Sequence, residues 1–414
     1  MSMPRQPGRI FADGDRESAD LLVEALRAPN IDHDVAESLT HPFHSYPARL
    51  HPATARVLVE IVGNRAGRGA LIVDPFCGSG TSLVEARAVG FKAVGVDLNP
   101  LAVLVARAKT WTAPSRRLKQ LREQGHALAG HVLAAGKAAR RSTAEAAPMR
   151  KPKGFDPNAR NTRLASWFAP HVRRELELIA GHLDDMRVHD AELANVLTAC
   201  LSAILYKVSS RTSDTDGTWV DRNIARGAAA RNFAQRVDLL CAGLVDLSQG
   251  SSNIPVIHEL DARRLGDVVP DGTAAGIVTS PPYAGTYDYA EHQRLRFDFL
   301  GLHHRNLDIG EMGSRRSFES NPVTAQQNWR SALADSVNAI AKALAPGPLA
   351  ALVVGDSVAK GRAIFALDDL RDALTDDLTI EAWASQHRPM LGAAETRAFG
   401  DRPKAEHITL VRRR

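Results

Sequence analysis

Two stretches of this chain break off from apolar runs in the same way, and together they limit the fold. Ala70-Leu71-Ile72-Val73 leads into Asp74-Pro75-Phe76-Cys77-Gly78-Ser79-Gly80-Thr81. Much later, Ala274-Ala275-Gly276-Ile277-Val278 leads into Thr279-Ser280-Pro281-Pro282-Tyr283. A short, continuous apolar run is how a strand buried on both faces reads, and such strands belong to parallel sheets covered by helices. Each run then turns into a loop at the strand's carboxyl end, where open α/β sheets bind ligands.

The alternation around these runs predicts the rest of the sheet. Strand Ala70–Val73, helix Ser82–Val89, strand Lys92–Val96 and helix Pro100–Trp111 follow one another. Pro52 predicts the first turn of a helix that runs to Val62. Alternation stops over residues 112–250, which are rich in Ala, Leu and Arg and too long for a βα connection. They are read as a helical insertion. It resumes with strands at Ile254–Leu260 and Ala274–Val278, helices at Tyr287–Leu300 and Ala325–Leu344, and a strand at Pro348–Val354. Leu378–His387 and Glu406–Arg412 predict a final antiparallel pair. Residues 1–40 read as a charged lead-in with one helix at Ser18–Arg27. The expected organisation is therefore a lead-in (1–40), a first half of an α/β domain (41–111), the helical insertion (112–250) and a second half (251–414).

Composition narrows the class. At 44% hydrophobic and 24% charged residues the chain has the make-up of a soluble globular protein. No apolar run approaches the ~18 residues of a membrane helix. The N-terminus lacks the apolar core of a signal peptide, so a cytoplasmic location is expected. Three cysteines, Cys77, Cys200 and Cys241, are too few for a disulfide framework and fit no zinc-ligand spacing, so no metal is expected. Between Thr112 and Arg163 stand twelve Lys and Arg against three acids, a larger excess than the net +5 of the whole chain. Such a run is either a solvated helical face or a surface that contacts phosphates. Lys207, Arg211, Arg222 and Arg226 would extend the second reading.

The first loop has the chemistry of a nucleotide-like cofactor site. Gly78 and Gly80 let the backbone turn tightly and approach a ligand without a Cβ in the way. The following helix aims its N-terminal amides at the loop. Asp74 closes the first strand. Asp97 closes the second, seventeen residues beyond Gly80, where an acid would hold a ribose diol. There is no Gly-Lys-Ser/Thr, so this is no phosphate-binding P-loop. Asp261, after a third strand, reads either as an acceptor for an adenine amino group or as a simple strand-end acid.

The second loop is stiff. Two consecutive prolines fix φ and donate no N–H, leaving carbonyls free as acceptors. The Ser280 side chain and the Pro281 carbonyl could hold the two N–H groups of an exocyclic amine. Tyr283 offers a face for a base, worth about 1–3 kcal/mol when a base stacks on it. Tyr287 and Tyr289 lie close by in sequence, Tyr46 lies in the proline-rich segment His41–Pro52, and Tyr206 reads as core.

Taken together, Asp74–Thr81 and Thr279–Tyr283 resemble the cofactor and catalytic loops of the S-adenosylmethionine-dependent DNA amino-methyltransferases, the N4-cytosine/N6-adenine class. His44–Pro47, followed by the helix from Pro52, is similar to the segment that packs over the methionine end of the cofactor in that family. The resemblance covers roughly 41–110 and 254–357. It implies a Rossmann-like α/β fold with a seven-stranded methyltransferase sheet and S-adenosylmethionine as cofactor. It implies that His44, Tyr46, Pro47, Asp74, Phe76, Gly78, Gly80, Thr81, Asp97, Leu98, Asn99, Asp261, Ala262 and Thr279 contact that cofactor. Ser280, Pro281, Pro282 and Tyr283 would hold the target base. Serine at the first catalytic position leans toward cytosine N4 over adenine N6. The implied partner is DNA, duplex with the target base flipped out. Methylation at cytosine C5 needs a cysteine nucleophile, and none of the three cysteines is near Pro282. The cofactor loop precedes the catalytic loop, with the insertion between them, so residues 112–250 are the expected target-recognition region. Any restriction activity would belong to a separately encoded endonuclease. RNA, a protein amide, or a non-catalytic nucleic-acid-binding role stay open as alternatives.

Overall fold

The computed structural model describes residues 8–67, 69–141, 167–211, 218–220, 222–250 and 253–414, with the backbone alone for 139–141. The sheet has eight strands: β1 (Ile10–Gly14), β2 (Leu71–Asp74), β3 (Lys92–Asp97), β4 (Val256–Glu259), β5 (Gly276–Thr279), β6 (Leu349–Gly355), β9 (Leu378–His387) and β10 (Ala405–Arg413). Their order is β1-β9-β10-β6-β5-β2-β3-β4. A separate hairpin is formed by β7 (Ser357–Ala359) and β8 (Arg362–Ile364).

β4, β3, β2, β5 and β6 run parallel. β10 is antiparallel to both β6 and β9. The expected final strand pair is thus present, but it is not the edge. β1, from the segment read as irregular lead-in, pairs antiparallel with β9 and raises the expected seven strands to eight. The helix read at Ser18–Arg27 extends over Arg16–Ile31 (α1), with Asp15 as its N-cap.

Side chains on the central strands alternate between two cores. Ile72, Val278 and Val353 face a cluster that contains Leu22 and Leu26 of α1 and Leu58 and Val62 of α2 (Pro52–Ala66). Val73, Ile277, Leu352 and Val354 face Leu333, Val337 and Ile340. Strands buried on both faces read as unbroken apolar runs for this reason.

Local sequence fixes several helix starts. Pro52 occupies the first turn of α2 and the His51 ring caps it. Gly80, at φ +83, opens α3 (Thr81–Ala88). Asn99 caps α4 (Pro100–Lys109) by accepting from Leu101 N at 2.9 Å.

Among the described residues, the region between α4 and β4 is mainly helical, as expected. It holds α5 (Ser115–Arg141), α6 (Pro170–Arg187), α7 (Ala191–Ile204) and α8 (Ala228–Ser248). These pack around Leu121, Val132, Leu176, Ile179, Leu197 and Phe233. The same cluster takes in Phe43, Trp111, Leu295 and Phe299 from outside the insertion.

After β5 the chain is more broken than expected. The helix read at Tyr287–Leu300 is two, α9 (Tyr289–His292) and α10 (Arg294–Leu300). α11 (Arg305–Gly310) and α12 (Arg315–Ser320) follow before α13 (Pro322–Ala343), then α14 (Ala366–Ala373) and α15 (Ala393–Phe399). Among the described residues no helix is long and apolar enough to cross a membrane.

Candidate active site

β2 lies between β3 and β5, the place where strand order reverses and a crevice opens at the carboxyl ends. Asp74 ends β2 and ties the two loops together. Its carboxylate accepts from Ser82 Oγ at 2.5 Å, from Phe76 N at 3.1 Å and from Thr279 Oγ1 at 2.6 Å. Burial pushes its pKa up to about 6, against the opposing pull of these hydrogen bonds.

Asp97 plays the same part at the end of β3. One carboxylate oxygen accepts from Gly78 N at 2.8 Å and the other from Asn99 N at 2.8 Å. Gly78, at φ +50, turns its amide toward that acid. Burial raises Asp97 to about 6 as well. Asn99 Nδ2 donates to the Tyr46 hydroxyl at 3.0 Å, which holds the N-terminal proline loop over the crevice.

A cleft of about 740 Å³ opens above these groups. It brings together Tyr46, Phe76, Gly78, Asp97, Leu98, Asn99, Asp261, Ala262, Ser280 and Pro282 from the residues singled out in the sequence. Asp74 and Thr81 line a smaller adjoining hollow with Ser79, Gly78 and Ser280. In that hollow Ser79 Oγ and Thr81 Oγ1 are buried with no hydrogen-bond partner. Two orphan hydroxyls at the first turn of α3 suit a polar ligand group, such as the amino-acid end of S-adenosylmethionine. Asp97, with Gly78 fixed beside it, suits a ribose diol.

Four residues stand apart from the cavities. His44 is buried, and its Nε2 lies 3.0 Å from Ser202 Oγ of α7. Burial lowers its pKa well below the usual value and keeps the ring neutral. It fastens the proline loop to the insertion. Gly80 faces α4, where an added Cβ would meet the Ala106 Cβ at 3.0 Å. Thr279 is wholly buried beneath Asp74. Pro47 lines neither the cleft nor the adjoining hollow.

Pro281 and Tyr283 face a second cavity of about 980 Å³. Tyr287, Tyr289, Arg388 and Glu406 complete much of its wall. The Tyr283 hydroxyl donates to Glu406 Oε1 at 3.2 Å, and Arg388 pairs with the same carboxylate. The Tyr283 ring packs over Gly355, where an added Cβ would lie 2.4 Å from Tyr283 Cε2. Trp329 Nε1 donates to the Pro282 carbonyl at 3.0 Å, pinning the loop to α13. The two cavities share Ser280, Ala48 and Tyr289.

Several lining residues carry no sequence motif. Ala48 is held at φ +53, a conformation that residues other than glycine rarely adopt. Its place after Pro47 gave no such sign. Leu307, Gly310, Glu311 and Met312 cover the cleft from around α11, a segment whose position only packing decides. Arg263 was readable as a neighbour of Asp261. Asp261 caps the turn that follows it and holds the Arg263 guanidinium with both oxygens, so much of its acceptor capacity is already used.

Several other charged side chains pair locally. Arg316 pairs with Asp288 and Glu311, and Arg315 with Glu319. Asp356 accepts from Ala366 N and Ala405 N and lies against His407, which makes it a strand-end clamp. Within the basic run, Arg117 is spent on Asp190 and Arg122 on Asp238, while Arg150, Lys151, Lys153, Arg160 and Arg163 lie outside the described residues. Among the described residues no group of three or more His, Cys, Asp and Glu is placed to hold a metal ion.

The mostly parallel sheet, with helices on both faces and the crevice at its switch point, is a Rossmann-like α/β fold. Residues 42–132 match the family model described as UPF0020, RMKL-like, methyltransferase domain. The Type II methyltransferase M.MvaI of Kocuria varians is 25% identical over 280 residues, 64% of this chain and 58% of that protein. This chain therefore spans little more than half the length of that relative. The Type II methyltransferase M.MjaII of Methanocaldococcus jannaschii is 28% identical over 102 residues, 25% of this chain and 17% of that protein. The tRNA (guanine(10)-N2)-dimethyltransferase of Methanothermobacter thermautotrophicus is 43% identical over 80 residues, 19% of this chain and 23% of that protein. Among solved structures, TrmN from Thermus thermophilus aligns over 90% of this chain and 52% of its own, with 12% identity and a TM-score of 0.37. The sequence matches support the resemblance to S-adenosylmethionine-dependent amino-methyltransferases, and the N4/N6 class is compatible with them.

Proposed function

We propose that this protein transfers a methyl group from S-adenosylmethionine to the exocyclic amine of a flipped base in DNA, with cytosine N4 favoured over adenine N6. The observation that carries the reading is the junction at Ser280. One cavity reaches from Ser280 to Gly78 and Asp97; the other reaches from Ser280 to Pro281 and Tyr283. A donor held in the first and a base held in the second would meet at that serine.

The bound cofactor supplies an electrophilic methyl group. Asp97 would accept from its ribose, and the Ser79 and Thr81 hydroxyls would hold its amino-acid end. On the target side, Ser280 Oγ and the Pro281 carbonyl accept the two amine N–H groups and aim the nitrogen at the donor. Tyr283 stacks on the base. Its position is set by Glu406 and Gly355. The chain's contribution is mainly alignment, which can account for several powers of ten in rate.

DNA is preferred because the likeness to the Type II methyltransferase M.MvaI covers 64% of this chain, far more than the match to the tRNA methyltransferase. RNA is the second reading, favoured by the short but closer match to a tRNA methyltransferase. The test is transfer of labelled methyl to DNA, RNA and protein in parallel, followed by nucleoside mass spectrometry. The expected result is N4-methylcytosine in DNA, lost in Ser280→Ala while cofactor affinity is kept. Label confined to RNA would select the second reading. Cofactor binding with no transfer to any substrate would leave a non-catalytic role.

A further inference from the structure

The insertion carries an aromatic feature that the transfer reaction does not use. Arg211 and Trp219 face each other across an antiparallel bridge, and Val220 N donates to Ser210 O at 2.9 Å. The Arg211 guanidinium lies 4.4 Å from the centre of the Trp219 ring and 4.6 Å from that of Trp167. Ser210 N donates to Trp167 O at 2.8 Å, which fixes the base of this hairpin to the insertion. Yet Trp219 is 50% exposed. Trp219 is thus a half-exposed indole held in place by a cation and by the Trp167 ring 5.9 Å away, so it presents aromatic surface to solvent in a fixed orientation.

The stack is also connected to the target-side cavity. Trp167 contacts the Tyr206 ring edge-on, with centres 6.1 Å apart. The Tyr206 hydroxyl donates to the His292 carbonyl at 2.6 Å. The His292 ring meets Tyr287, and Tyr287 meets Tyr289 at 5.7 Å. Tyr287 and Tyr289 both line the cavity that holds Pro281 and Tyr283. Ring contacts, joined at Tyr206 by its hydrogen bond to the His292 carbonyl, thus connect that cavity to Trp219.

We propose that Trp219, oriented by Arg211, is a stacking platform for an unstacked nucleobase of the substrate strand outside the target pocket. This rests on the reading of the protein as a nucleic-acid methyltransferase. An aromatic face takes any base, and a neighbouring guanidinium attracts the adjoining phosphate, so the contact tolerates sequence and favours unpaired nucleotides. Extruding a target base unstacks the strand beside it, which creates the ligand such a platform would take.

The experiment compares wild type, Trp219→Phe and Trp219→Leu for binding oligo(dT), its duplex with oligo(dA), and oligo(U), by anisotropy and by intrinsic tryptophan fluorescence. Trp219→Leu is expected to lose about tenfold in affinity for the unpaired probe. It should also lose part of the quenching seen in wild type. Trp219→Phe should keep most of the affinity, and the salt dependence should be unchanged, because no phosphate contact is removed. Unchanged cofactor affinity shows that the variants fold. Should Trp219→Leu fail to fold, Arg211→Lys keeps the charge and removes the planar stack, and it should bind the unpaired probe more weakly than wild type. Preference for oligo(dT) over oligo(U) assigns the contact to DNA; the reverse assigns the same contact to RNA. Equal binding of all three probes by wild type and both tryptophan variants overturns the proposal, as does failure of wild type to bind any probe. If that equality comes with Ser280-dependent methylation, only the platform falls and the transferase reading stands. Trp219-dependent binding without any methylation would have the opposite meaning.

Discussion

Asp97 carries two opposite consequences of pH. On the proposed function its carboxylate would have to be ionised to accept from a ribose while it also accepts from Gly78 N and Asn99 N. With burial raising its pKa to about 6, cofactor affinity should fall as pH drops from about 7 to about 5. Folding stability responds with the other sign. A carboxyl whose pKa is raised in the folded state stabilises most below the ordinary carboxylate range, and that contribution is lost as pH rises through about 6. Asp74, also near 6, adds to the same trend. Calorimetric titration of S-adenosylmethionine against pH, with Asp97→Asn beside wild type, checks this: the variant should bind about tenfold more weakly and with a flatter pH profile. Asp74 and Asp97 were legible in the sequence as site acids because the end of an apolar strand is a local signal. The roles read for His44 and Pro47 were drawn from likeness to a segment; in this chain the His44 Nε2 lies 3.0 Å from Ser202 Oγ.

At the scale of elements, the Ser280–Tyr283 loop depends on a neighbour that no motif announces. Gly355 ends β6 directly beneath the Tyr283 ring. Gly355→Ala would push that ring aside, and a displacement of this size is expected to lower the methyl-transfer rate by about 10²-fold. Cofactor affinity should not change, since Gly355 lines neither cofactor-side cavity. Single-turnover kinetics beside a binding titration separates the two. The proline loop rests on a buried cluster: Glu85 of α3 lies 2.6 Å from His41 Nε2 and 2.9 Å from Arg56 Nε. Burial lowers His41 to about 4, so the ring is neutral and donates. Glu85→Ala leaves the buried His41 N–H without an acceptor and should cost about 2 kcal/mol of stability, read as a lower denaturant midpoint. Helix starts at Pro52 and Pro100 were legible because capping and turn chemistry act over a few residues, whereas the helix read from Ser82 begins one residue earlier, after Gly80. The break between α9 and α10 was not, because the same apolar spacing fits one helix or two until tertiary packing chooses.

For the whole molecule, the insertion and the α/β domain are expected to unfold together. Phe43 from the proline loop, Trp111 beyond α4, and Leu295 and Phe299 of α10 all enter the insertion's core. Arg236 of α8 donates to the carbonyls of Pro42 and Phe43, and Trp111 Nε1 donates to Glu192 of α7. A single calorimetric transition, with equal calorimetric and van't Hoff enthalpies, is the predicted result; two transitions would mean that these contacts are weaker than their burial implies. By itself the sequence determined the α/β class, the parallel core strands, the helical insertion and the two loops, because buried strands, glycine turns and prolines leave a signature in neighbouring residues. Only the tertiary structure decided that β1 extends the sheet past β9, that Ala48 and the α11 segment close the cleft, and that Glu406 and Gly355 set Tyr283. Those relations join residues far apart in the chain, and they arise from how whole elements fill space against one another, which no short window of sequence contains.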